Sequence, residues 1–200
     1  MTNITGLVLA GGRGQRVGGA DKGWLVYEGR PLIIRVIERF APQVGPLLIS
    51  ANRNVERYAA YGEVVSDDLA DVSGEHFAGP LIGVLSGLRR ARTDWVATVP
   101  CDAPHLPTDL VARLMRATLS TNAMAACASV HGQIQPVFAL VKPRCADELA
   151  RLVAEGERAM HRWLKALEAV TVDFEDAQAF TNINQPSSNG DQATRAADGQ

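Results

Sequence analysis

Long apolar runs are missing from this chain. No stretch approaches the ~18–20 uninterrupted apolar residues of a membrane-spanning helix. The start, Met1-Thr2-Asn3-Ile4-Thr5, has neither the basic region nor the apolar core of a secretory signal. Cysteine is scarce: Cys101, Cys127 and Cys145 are odd in number and not closely spaced. That argues against a disulfide framework and a Cys-x-x-Cys zinc site, and points to a reducing compartment, the cytoplasm. The 4 histidines do not cluster, and none has metal-ligand spacing. Excess charge is lacking too. A net charge of −2 and a pI near 6.1 leave no electrostatic footprint for nucleic acid. No internal repeat is visible. The expectation is a cytoplasmic monomer that binds neither nucleic acid nor membrane. What remains is ordinary for a globular chain: 200 residues, 46% hydrophobic and 21% charged, enough for one domain with a normal core.

Strand-like runs alternate with helical patterns. Ile4 to Ala10 reads as the first strand, and Trp24 to Tyr27 as a short one ended by Glu28-Gly29-Arg30. Pro31 opens a helix carrying Ile33, Ile34, Val36 and Ile37. Leu47 to Ser50 is a strand, Asn54 to Ala60 a short helix, and Val64-Val65 a strand ending at Asp67-Asp68. Gly79-Pro80 starts a helix running to about Arg92, followed by a strand from Trp95 to Val99. Pro107 opens the next helix. Ala123 to Val130 and Val137 to Val141, separated by Gly132, form an antiparallel pair. Helices from about Arg144 to Ala154 and Arg158 to Leu167, then a strand from Val170 to Phe174, complete the pattern. This alternation predicts an α/β fold: a three-layer sandwich with a mostly parallel, Rossmann-like sheet and helices on both faces. The single domain spans 1–186. The polar tail, 187–200, has almost nothing to bury and is expected to be disordered.

The most informative segment is the first strand and its sequel, Leu9-Ala10-Gly11-Gly12-Arg13-Gly14-Gln15-Arg16-Val17-Gly18-Gly19-Ala20-Asp21-Lys22. Glycines let the backbone turn tightly and approach a ligand closely. Loop amides without partners cradle phosphate oxygens. Arg13, Arg16 and Lys22 add positive charge. The alternative is an ordinary glycine-rich loop with solvated cations. A Walker loop does not fit, because Gly23 follows Lys22 and no glycine directly precedes it. The dinucleotide fingerprint fails at Val17, where a third glycine is required.

Ligands of open α/β sheets sit beyond the carboxyl ends of the strands. Those ends carry the glycine loop, Ser50-Ala51-Asn52-Arg53, Asp67-Asp68 and Cys101-Asp102. Asp102, after a strand and before Ala103-Pro104, suits a Mg²⁺ carboxylate, and it equally suits a turn aspartate. Cys101 reads as a small buried thiol. Asp67-Asp68 fits a cap as well as a nucleotide contact, Pro80 fits a simple helix start, and Lys22 fits a solvated loop lysine. His105 reads as a surface residue at a helix entry.

Taken together, Leu9-Ala10-Gly11-Gly12, Arg16-Val17-Gly18, Lys22, Pro100-Cys101-Asp102 and Gly79-Pro80-Leu81-Ile82-Gly83 resemble the nucleotidyltransferases, and most of all the molybdenum cofactor guanylyltransferases. The likeness runs from residue 4 to 186. Val17 stands where that family usually has Met, and Ser50 where it has Asn, so the role of Ser50 is in doubt while Asn52 is retained. The resemblance implies a nucleotide-diphospho-sugar transferase type of fold and a Mg²⁺-dependent transfer of GMP from GTP to Mo-molybdopterin, with release of pyrophosphate. It implies that Lys22, Arg16 and Asp102 are catalytic, with Asp102 holding Mg²⁺. It assigns the nucleotide to Leu9, Ala10, Gly11, Gly12, Lys22, Ser50, Asn52, Asp68, Gly79 and Asp102. The run Phe180-Thr181-Asn182-Ile183-Asn184-Gln185-Pro186 is similar to the family's terminal Asn-x-Asn-x-Pro, which gives Asn182 and Asn184 to the acceptor. Transient contacts with cofactor-delivery and molybdoenzyme-maturation proteins follow from the same resemblance. Cytidylyl relatives tend to carry Leu-Ala-Ala-Gly, so Gly11 favours guanine. A cytidylyltransferase, another nucleotidyltransferase and a non-catalytic GTP-binding module are the alternatives.

Overall fold

The computed structural model describes residues 3–11, 21–67 and 79–183. Strand β1 (Ile4–Leu9) is apolar along nearly its whole length because both its faces are covered. It lies at the centre of the sheet, between β4 (Leu47–Ser50) and β6 (Trp95–Pro100), parallel to both. The sheet has 7 strands in the order β5-β4-β1-β6-β8-β7-β9, with β5 at Glu63–Val65, β7 at Ala125–Val130, β8 at Gln133–Val141 and β9 at Val170–Phe174. Only β8 runs antiparallel to its neighbours β6 and β7. A separate two-stranded hairpin pairs β2 (Val26–Tyr27) with β3 (Arg30–Pro31).

Two cores sandwich the sheet. On one face α1 (Leu32–Phe40) and α4 (Leu110–Thr121) press Ile33, Val36, Phe40, Leu110 and Leu114 onto Val8 and Ile49. Helix α1 buries Leu32, Ile33, Val36 and Phe40 and turns its charged residues outward, the spacing of an amphipathic helix. On the other face, α3 (Pro80–Arg90), α5 (Ala146–Ala154) and α6 (Met160–Ala166) bring Leu85, Leu88, Leu149 and Trp163 onto Leu7 and Val96. Each fully buried leucine contributes roughly 1.5–3 kcal/mol relative to exposure. The remaining short helix, α2 (Val55–Ala59), follows β4.

The seating of α3 matters most for function. Gly83 and Gly87 lie one turn apart, and a Cβ on either would collide with Ser50 or Leu7. The helix therefore lies close on β1 and β4, with its N-terminus at the carboxyl edge of the sheet. The three-layer α/β expectation, with the antiparallel pair after α4, is what forms.

Several boundaries differ from the sequence reading. Trp24 is not in a strand; Lys22–Trp24 form a 3₁₀ turn, because the Asp21 side chain accepts from Gly23 N and caps it. The helix expected from Pro107 begins at Leu110. Strand β8 begins at Gln133, four residues before the apolar run; of Gln133, Ile134, Gln135 and Pro136 the single large apolar side chain, Ile134, is exposed, so no buried run marks them. The tail, 187–200, lies outside the described residues.

Candidate active site

Chain segments that leave the carboxyl ends of the parallel strands line one cleft of about 370 Å³. Continued backbone pairing fixes where they leave. Ala10 N donates to Ser50 O (2.8 Å), Ala51 N to Val65 O (3.1 Å) and Cys101 N to Leu9 O (3.1 Å). The ladder thus runs past the strands and aligns the three exits. Of the residues singled out from sequence, Leu9, Ala10, Gly11, Lys22, Ser50, Gly79, Asp102 and Asn182 line this cleft. Gly12, Arg16, Asp68 and Asn184 lie outside the described residues.

Asp102 is buried at the floor. One carboxylate oxygen, Oδ2, is ion-paired with the Lys22 ammonium. The other, Oδ1, is buried with no hydrogen-bond partner among the described residues. A buried carboxylate oxygen left unmatched is costly, which makes it a candidate ligand group. A turn aspartate would spend that oxygen on a nearby backbone amide. The donor set suits a hard divalent cation, which takes one or two carboxylates together with substrate phosphates. Asp102 is the residue that would hold it. Among the described residues, no cluster of three or more acidic, histidine or cysteine side chains forms a self-sufficient metal site. Cys101, beside it, is fully buried, and that burial pushes its thiol well above the usual range, with the Asp102 charge adding to the effect. It stays a thiol.

Asp67 is the carboxylate that sequence spacing did not separate from Asp68. It lines the cleft at the end of β5. Asn52 grips it from both sides, donating from Nδ2 to Asp67 Oδ2 (2.6 Å) and accepting from Asp67 N (2.9 Å). Asp67 Oδ1 is buried without a hydrogen-bond partner among the described residues. Burial raises the Asp67 pKa, while the Asn52 hydrogen bond opposes the shift. Asn52 therefore reaches the cleft through Asp67. The one available cue was position: Asp67 is two residues past Val65, at the strand exit itself.

The same cleft also holds groups that favour anions. Gly79 and Pro80 at the start of α3 line the cleft, and a helix N-terminus favours anions. Gly79 sits at φ +62°, ψ −150°, a conformation that is essentially glycine-only. Lys22 supplies a full charge. At the far wall, Ile183 N donates to Asp102 O (2.8 Å), which clamps the 182–183 segment beside the floor and brings Asn182 into the cleft.

A second hollow of about 530 Å³ is more polar, but its arginines are already engaged. Arg39 donates to Leu106 O (2.7 Å), and Arg113 donates to Asp173 O (2.6 Å) and stacks on Phe174. His105 lines that hollow, half-buried edge-on against Tyr27, with its Nε2 3.3 Å from the Tyr27 hydroxyl.

Comparison with known proteins accords with this geometry. The MobA-like NTP transferase domain matches over residues 6–170. The molybdenum cofactor guanylyltransferase of Polynucleobacter asymbioticus is 45% identical over 189 residues, covering 92% of each chain. That of Burkholderia ambifaria is 46% identical over 192 residues, covering 91% of each. Among solved structures, the molybdopterin-guanine dinucleotide biosynthesis protein A of Archaeoglobus fulgidus superposes with a TM-score of 0.74 at 23% identity, covering 91% of this chain and 93% of that one, which bears on the fold. With a family model over most of the chain and relatives above 40% identity along nearly all of it, the chain belongs to the MobA-like molybdenum cofactor guanylyltransferase family.

Proposed function

We propose that this cleft transfers GMP from GTP to the terminal phosphate of Mo-molybdopterin, forming the guanine dinucleotide and releasing pyrophosphate. A terminal phosphate oxygen of the acceptor attacks the α-phosphorus of GTP. The Pα–O bond to the β-phosphate breaks, and its electron pair leaves with pyrophosphate. The acceptor is already ionised, so no general base is needed. Rate comes from alignment and from neutralising the charge that builds on the leaving group.

The residues divide that work. Leu9, Ala10 and Gly11, which line the cleft, and Gly12 are assigned to the phosphates. Lys22 and Arg16 offset the leaving charge, a point-charge role suited to lysine. Asp67 or Asp68, with Asn52, Ser50 and Gly79, faces the nucleoside. Asn182, which lines the cleft, and Asn184 are assigned to the acceptor, which a delivery or maturation protein would hand over. Asp102 would hold Mg²⁺, which when bound neutralises phosphate charge. The observation that carries the reading is the buried Asp102, with one oxygen on Lys22 and the other unmatched, at the floor of a cleft ringed by strand ends.

The test is a set of thermal melts with Mg²⁺ and, separately, GTP, CTP and ATP. A ligand at 100 times its Kd adds about 2.7 kcal/mol. At roughly 2–4 °C per kcal/mol, that moves the midpoint by about 5–10 °C. The expected result is a shift with GTP and none of comparable size with CTP or ATP. A shift with CTP alone would make the chain a cytidylyl enzyme. No shift with any nucleotide would remove the nucleotide site.

A further inference from the structure

We infer that Tyr58 and Asn54, both outside the cleft, are positioning residues that aim Lys22 by engaging the carboxylate of Asp21. The inference rests on the reading of the cleft as a nucleoside triphosphate site, but its geometry does not depend on any ligand.

Asp21 directly precedes Lys22, and in isolation it would compete for the ammonium group. Its oxygens are instead occupied by three donors. Oδ1 accepts from the Tyr58 hydroxyl (2.6 Å) and from Gly23 N (3.2 Å), and Oδ2 accepts from Asn54 Nδ2 (2.8 Å). With Asp21 satisfied this way, the Lys22 ammonium lies on Asp102 across the cleft. The same carboxylate caps the Lys22–Trp24 turn and so sets the direction in which the lysine leaves the backbone.

Both donors break a local rule. Tyr58 is fully buried, and only its hydroxyl reaches Asp21; a phenylalanine would fill the same space. Burial, together with the Asp21 hydrogen bond, pushes the phenol far above its ordinary value, so it remains a donor at any working pH. Gly23 has no side chain where a Cβ would come within 2.5 Å of that hydroxyl. Asn54 is at the N-cap of α2, where asparagine normally hydrogen-bonds a helix amide. Here it makes no capping bond, sits at φ +51° and gives its amide to Asp21. Local choices given up in this way mark positions held for another purpose. Trp24 closes the turn from the other side, stacked under Arg57 (3.8 Å) and against Tyr58 (5.1 Å). Helix α2 thus acts as a bracket for the lysine turn.

The chain has three lysines, Lys22, Lys142 and Lys165, so each amine can be followed separately. Limited reductive methylation, read by mass spectrometry without nucleotide, gives the rate of Lys22 relative to exposed Lys165. In the unaltered protein Lys22 reacts more slowly, being tied to Asp102. In Tyr58→Phe and in Asn54→Gly, which keeps the left-handed backbone but removes the amide, the Lys22:Lys165 ratio should rise threefold or more. The Lys142:Lys165 ratio should not change. Unchanged Lys22 ratios in both variants would overturn the inference, even if their melting midpoints fall.

The second arm is Mg²⁺·GTP binding in a cycle with Lys22→Ala. Tyr58→Phe should weaken binding fivefold or more when Lys22 is present and less than twofold when it is absent. Equal losses in both backgrounds would mean Tyr58 acts on the fold and not through Lys22. Should the unaltered protein bind no nucleotide while the methylation ratio rises, the functional reading fails and the bracket stands.

Discussion

Asp102→Asn separates a functional carboxylate from a structural one, because the two roles predict opposite results. The substitution keeps size and shape and removes one charge. Its stability cost is set by two opposed effects. The ion pair to Lys22 is lost, but that amine is 30% exposed, so solvent screening leaves the pair worth no more than about 1 kcal/mol. Against this, a charge no longer has to be buried at a position where Oδ1 has no partner. The net change should fall within about 1 kcal/mol of zero, or about 4 °C in midpoint. Activity should respond quite differently. Loss of one preorganised charge-stabilising group costs roughly 10²–10³ in turnover. The assay pairs a melt without ligand with pyrophosphate release in the presence of GTP, Mg²⁺ and molybdopterin. Retention of more than a tenth of the turnover, or a midpoint that falls by more than ~8 °C, would refute the reasoning; the second result would make Asp102 a turn residue.

Three further outcomes follow from the same geometry. Lys22 already neutralises the Asp102 carboxylate, so Mg²⁺ without nucleotide should move the melting midpoint by less than ~1 °C; in Lys22→Ala, titration calorimetry should show tighter binding of the free metal. Burial raises the Asp67 pKa, so its charge opposes folding above the ordinary carboxyl value of 3.8. Asp67→Asn should therefore melt above the unaltered protein at pH 7, with a gap that narrows as pH falls toward that value and both forms become neutral; a gap independent of pH would contradict this. For Gly79→Ala, the nearest atom to the new methyl among the described residues is Arg158 O at 3.5 Å, yet the alanine must adopt φ +62°. A loss of about 1–3 kcal/mol, measured by urea unfolding, is expected from backbone strain alone.

Much of the fold was legible because buried strands and amphipathic helices write their periods plainly. The runs Leu47 to Ser50 and Val170 to Phe174 form strands with those bounds. Where tertiary contacts decide, the sequence is silent. Trp24 has strand propensity, but the Asp21 cap and the Tyr58 hydroxyl turn that segment into a 3₁₀ turn. The first residues of β8, Gln133, Ile134 and Gln135, pair only with β7 and lie at least partly exposed, so they lack the continuous apolar run of a buried strand. In the cleft, residues at strand exits were identifiable because topology places such exits on one edge. The pairing of Asn52 with Asp67 was not, since it depends on Asn52 folding back across 15 residues. Asp21 and Tyr58, 37 residues apart, had no shared motif to join them.

The central claim is nucleotidyl transfer, and the most direct measurement is of its products. The protein is incubated with Mg²⁺, GTP and molybdopterin, and mass spectrometry follows the dinucleotide while pyrophosphate is assayed. The account predicts the guanine dinucleotide and pyrophosphate in equal amounts, both dependent on acceptor and on Asp102. Tight binding of GTP with no pyrophosphate released, whatever acceptor is offered, would contradict it and leave a nucleotide-binding module.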